Sequence, residues 1–158
     1  MTMSAKRRPI GYLLKHLDRL IEDGFERTLI DEGFTRRHWQ LLNVVHEGPA
    51  TRDAAAAKLA SFLVEGRTEL DRAVDDLARR GLVSADDDTL SLTDEGERAF
   101  GSVQDKLSEF RGLVTKGLDE DEYGRAVDAL ERMAGNLEAY AEPLAAPHAF
   151  GVHDSIGV

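Results

Sequence analysis

The segment that most constrains this 158-residue chain runs from Glu65 to Gly96. Leu70, Ala73, Val74 and Leu77 recur at steps of three and four, while Arg67, Thr68, Asp71, Arg72 and Asp75 fall elsewhere on the same wheel. That spacing predicts an amphipathic helix with one face on a core. Arg79 and Arg80 put cations where the helix dipole favours them, and Gly81 can take the left-handed conformation that closes a helix, so the helix is expected to end near Arg80. Leu82 to Ala85 and Thr89 to Leu92 are short β-favouring runs on either side of Asp86-Asp87-Asp88, a hairpin pattern with a turn-forming acidic tip. Thr93 is a good N-cap, and Asp94 and Glu95 place negative charge on the first turn of the next helix.

Arg72-Ala73-Val74-Asp75-Asp76-Leu77-Ala78-Arg79-Arg80-Gly81-Leu82-Val83, followed by Leu92-Thr93-Asp94-Glu95-Gly96, resembles the recognition helix, wing and fifth-helix entry of the MarR family of bacterial transcriptional regulators. Thr35-Arg36-Arg37-His38-Trp39-Gln40-Leu41-Leu42 resembles that family's second helix. The resemblance implies one mainly α domain with a small β-wing. A winged helix-turn-helix reading head (residues 35–96) is expected on a helical dimerisation body (10–32 and 97–141), with a tail over 142–158. It also implies a homodimer built through the first, fifth and sixth helices, with double-stranded DNA as partner.

The remainder of the chain fits helices of that number. From about Gly11 to Asp31, Leu13, Leu14, Leu17, Leu20, Ile21, Phe25 and Leu29 form a helical stripe interrupted only by Gly24, which weakens a helix interior modestly. Thr35 caps a second helix ending at Gly48-Pro49, in which Trp39, Leu42 and Val45 share a face. Thr51 caps a third, expected from Arg52 to about Leu63. Spacing counted forward from Thr51 lands on Leu59 and backward from Leu77 on Leu63, which points to an inserted turn, Ala60-Ser61-Phe62-Leu63. After the hairpin, Phe100, Val103, Leu107, Phe110 and Val114 form one seam, and Tyr123, Val127, Leu130, Ala134 and Leu137 form another beyond a cap at Asp119. A small winged unit closes its own core, so these faces call for a further partner, most economically a second copy of the chain.

Charge is distributed unevenly. The net charge of −10 argues at face value against nucleic acid, yet residues 35–83 carry eight basic and seven acidic side chains, whereas 84–158 carry six and seventeen. With no cysteine, disulfides, thiolate metal sites and cysteine nucleophiles are excluded. No phosphate loop, HExxH or GxSxG occurs, so no enzyme, cofactor or metal site is expected. Asp86-Asp87-Asp88 reads as a solvated turn, and His148 with His153 as a tail without further ligands. No run has membrane-spanning length and Lys6-Arg7-Arg8-Pro9 leads into no apolar block, so a cytoplasmic protein is expected.

Candidate DNA contacts are Arg67, Thr68 and Arg72 on the polar face of the presumed recognition helix, together with Thr51 and Arg52 at the start of the third helix. Arg72 matches the arginine preceding the family's Val-Asp-x-Leu, although Asp75 or Asp76 on its own helix offers it an alternative partner. The wing lacks the Asp-x-Arg tip common in the family, so the family's wing contact does not carry over. The resemblance further implies an aromatic or phenolic effector between body and head, with Tyr12, His16, His38 and Trp39 on the helices expected to meet there. A different function fits the same fold: an acidic winged-helix protein-interaction module without specific DNA binding.

Overall fold

Two threonines decide where helices begin. The Thr35 hydroxyl accepts the His38 N–H at 3.2 Å while the His38 ring takes the Thr35 N–H at 3.1 Å, a reciprocal box that starts α2 (Arg36–Glu47). The Thr51 hydroxyl accepts the Ala54 N–H at 3.0 Å and starts α3 (Arg52–Leu59). The computed structural model describes residues 7–141. The other elements are α1 (Ile10–Asp31), α4 (Arg67–Arg79), α5 (Asp94–Val114) and α6 (Glu120–Ala141), with strands β1 (Ala50–Thr51), β2 (Val83–Asp86) and β3 (Thr89–Leu92). The architecture is mainly α with a small wing. No helix among the described residues is long and apolar enough to cross a membrane.

The strands form one antiparallel sheet in the order β1-β3-β2, with Ala85 opposite Leu90 and Asp86 opposite Thr89. Asp86 is therefore a strand residue, and the expected three-residue tip narrows to Asp87 and Asp88, whose φ values of 47° and 66° make a tight left-handed turn. β1 was not anticipated: Ala50 and Thr51, the latter also the α3 cap, pair with a strand nearly forty positions later.

The third helix is also shorter than expected. It closes at the buried Leu59, and Ala60–Phe62 wind into a 3-10 turn that leads through the exposed Val64 to α4. The four extra residues are thus accommodated between the helices as a tighter turn and loop.

The chain divides into two compact units, at Phe110/Arg111 within α5. The first unit's core takes Leu29 from α1, Leu41 and Leu42 from α2, Leu70, Val74 and Leu77 from α4, Leu90 from β3 and Leu107 from α5, all essentially inaccessible. Full burial of each such side chain is worth about 1.5–3 kcal/mol. Phe100, Val103 and Leu107, expected to need a second chain, are buried within this unit. Phe110 lies so close over Gly24 of α1 that a Cβ there would overlap its ring, which explains the glycine inside the first helix. In the second unit α6 starts with a reciprocal box between Asp119 and Glu122 and buries none of its residues.

Candidate nucleic-acid interface

The four buried apolar residues of α4 point inward, which leaves Arg67, Thr68 and Arg72 on its exposed side. The helix is aimed by a residue whose role the sequence concealed. Glu69, at the third position of α4, reaches back to accept the N–H groups of Val64 and Glu65 at 3.0 and 3.2 Å, and the Arg37 guanidinium of α2 grips its other oxygen at 2.5 Å. One carboxylate thus fixes the turn before α4 and ties it to α2. Partial burial pushes this carboxyl up, but the Glu65 N–H, Arg37 and the Val64 N–H outweigh that and hold it below its ordinary value. A glutamate three positions after a helix cap is the signal that could have revealed it.

At its far end α4 is tied to the α1–α2 turn. His38 donates from Nε2 to Asp76 at 3.1 Å, a tautomer required because its Nδ1 already accepts from Thr35. Arg80 donates to the Gly33 carbonyl at 2.9 Å and lies over the Phe34 ring. Burial lowers the His38 pKa against the opposing pull of Asp76, and Arg80 lowers it further. After Gly81, with φ of 75°, the Thr93 hydroxyl donates to the Gly81 carbonyl at 2.6 Å and accepts the Gly96 N–H at 3.0 Å. Gly96 sits against the Leu82 carbonyl so tightly that a Cβ would collide with it.

Among the sequence-selected residues, Arg52, Arg67 and Arg72 gather with α4 and the wing, and each is ion-paired. Arg52 donates to Asp71 at 2.8 Å and Asp75 at 3.3 Å, stands 3.9 Å from the Asp88 carboxylate, and its backbone N–H reaches the Asp88 carbonyl at 3.3 Å. It is a strut joining α3, α4 and the wing tip, with its side chain only 21% exposed. Arg67 pairs with Asp53 and, at 3.2 Å, with Asp71. Arg72 pairs at 2.7 Å with Glu65, not with Asp75 or Asp76. Thr68 is exposed, and the Thr51 hydroxyl is engaged as a helix cap. Partial burial raises the Asp71 carboxyl, and the two guanidinium groups more than offset it, leaving the group below its usual range.

The four aromatic candidates go to three places. Tyr12 and His16 stack on α1 with ring centres 5.7 Å apart, His38 faces Asp76, and Trp39 stacks on Phe100 at 4.9 Å, with His46 also on Phe100 at 4.0 Å. His148 and His153 lie outside the described residues. No group of three or more His, Asp or Glu side chains among the described residues is arranged to hold a metal ion.

The sequence matches no family model and no curated protein, whereas the fold has many solved counterparts. The YusO protein from Bacillus subtilis superposes with a TM-score of 0.68 at 19% identity, covering 80% of this chain and 92% of its own. The reduced form of MarR from E. coli gives 0.61 at 17% identity, covering 84% and 98%. The fold is that of the MarR-family regulators. A third such structure, of Bordetella bronchiseptica BpsR, whose DNA binding is regulated by 6-hydroxynicotinic acid, gives 0.58 at 17% identity over 84% of this chain and 99% of that one.

Proposed function

We propose that this chain is a cytoplasmic, sequence-specific transcriptional regulator that binds double-stranded DNA as a homodimer on a pseudo-palindromic operator and represses there, with a small aromatic effector relieving repression. The observation that carries this function is the placement of Arg67, Thr68 and Arg72 on the exposed side of a helix whose opposite side is fully buried. Such a helix can enter a major groove, where an arginine fork matches guanine. Two-fold symmetry then sets half-sites about ten base pairs, roughly 34 Å, apart.

Homodimerisation is supported by unpartnered apolar surface on each unit: Leu13, Leu17 and Leu20 along α1 are about half exposed, and α6 shows Leu130, Met133 and Leu137 to solvent. An effector is supported by the regulation of BpsR by 6-hydroxynicotinic acid and by the exposed Tyr12–His16 stack. Once an effector is found, His16→Ala should weaken the response and His38→Ala should not, because His38 is engaged with α4. An electrophoretic shift on DNA from upstream of the chain's own gene, at low and physiological salt, tests the whole function. A sequence-selective shift is expected.

A second function has its own support. The wing carries Asp86, Asp87 and Asp88 with no cation of its own hairpin, and the head's arginines are paired internally, as suits an acidic module that binds a protein. Absence of a shift at both salt concentrations would favour it.

A further inference from the structure

Each of the three candidate arginines, Arg52, Arg67 and Arg72, already has its guanidinium occupied by a carboxylate of the same unit. Asp71 takes two of them on a single oxygen, from Arg52 at 2.8 Å and Arg67 at 3.2 Å; Asp53 holds Arg67 as well, and Glu65 holds Arg72 at 2.7 Å. These carboxylates come from α3, from α4 and from the turn before it, so they surround the N-terminal half of α4 rather than lying along one strip. Glu69, the remaining acid there, is turned inward to the backbone and Arg37.

We propose that Glu65 and Asp71 act as internal stand-ins for DNA phosphate, screening the reading arginines from non-specific duplex and thereby setting the specificity of binding. This rests on the DNA-binding function above and adds its discriminating residues. Non-specific affinity comes from cations that neutralise phosphates and release counterions. An arginine already paired with a carboxylate of its own chain contributes less to that term, and taking it away leaves a bare carboxylate beside the backbone. A phosphate alone replaces one anion with another. A guanine edge, by contrast, offers two acceptors in the geometry of the fork and brings no charge to repel the released carboxylate. The Arg72–Glu65 pair is suited to this exchange, since its side chains are 70% and 60% exposed and such pairs are weakly held.

The test uses the full chain, a duplex selected by the wild-type protein from a randomised pool, and a random-sequence duplex of equal length, with binding followed by fluorescence anisotropy at low and physiological salt. Glu65→Gln keeps the shape of the side chain and removes its charge. It is expected to bind the random duplex several-fold more tightly, with a salt slope steeper by about one for each arginine freed, and to gain less on the selected duplex, so that discrimination falls. Asp71→Asn is expected to do the same. Should Asp71→Asn loosen the wing and unfold the head, Glu65→Gln, which alters only an exposed pair, decides alone. Unchanged affinity and slope on the random duplex, or an equal gain on both duplexes, overturns the screening role and leaves DNA binding standing. A wild-type chain that selects no duplex and binds neither at low salt overturns both.

Discussion

α4 and α6 have apolar residues at the same three- and four-residue steps, yet α4 buries Leu70, Ala73, Val74 and Leu77 while α6 buries nothing. Periodicity states that a face needs cover and is silent on what supplies it. For α4 the cover is α2, α3 and the wing, brought round by short turns within the same unit. For α6, Leu130, Met133 and Leu137 remain exposed, and the dimer proposed above gives them a partner.

The contrast is broken most forcefully at its two centres. Leu77→Ala should destabilise the chain by about 2–5 kcal/mol in chemical denaturation, since it empties a fully enclosed site. Leu130→Asp should leave the helical circular dichroism intact and shift light scattering from dimer to monomer, because an unpaired charge in a dry interface is disfavoured. A Leu130→Asp protein that remains dimeric would remove α6 from the interface. Gly96→Ala follows, at about 1–3 kcal/mol, because its Cβ meets the Leu82 carbonyl where the wing begins. Glu69→Gln should cost about 1 kcal/mol by weakening the charge-assisted grip of Arg37, visible as a lower denaturation midpoint.

The smallest effect is a pH dependence. A histidine whose folded pKa is lowered contributes stability that is present above its unfolded value of about 6.5 and is lost as pH falls through the folded value. The thermal midpoint should therefore fall between about pH 7 and about pH 5.5 in the wild type and fall less in His38→Gln. An equal fall in both would locate the dependence elsewhere.

Features that depend on neighbours in sequence were legible: the helix stripes, the caps at Thr35, Thr51, Thr93 and Asp119, and Gly81 closing α4. Those that need a distant partner were not. β1 has two residues and exists because β3 lies beside it. Gly24 and Gly96 look like helix weaknesses until Phe110 and the Leu82 carbonyl arrive against them. In the candidate interface the arginines were found as residue types on a face, but their partners were misjudged. Helix spacing suggested Asp75 or Asp76 for Arg72, whereas Glu65 reaches it from seven positions earlier, in the turn that precedes the helix. Glu69 is turned inward by two nearby backbone N–H groups and by Arg37, whose position in sequence is 32 residues away.

The central claim is that the exposed side of α4 reads DNA, and Arg72 tests it most directly. It is 70% exposed and held only by a surface pair, so Arg72→Ala should leave the fold unchanged. On a duplex selected by the wild-type protein it should weaken binding by about 1–3 kcal/mol and relax preference at one symmetric pair of positions. An Arg72→Ala protein with wild-type affinity and wild-type discrimination would contradict the account.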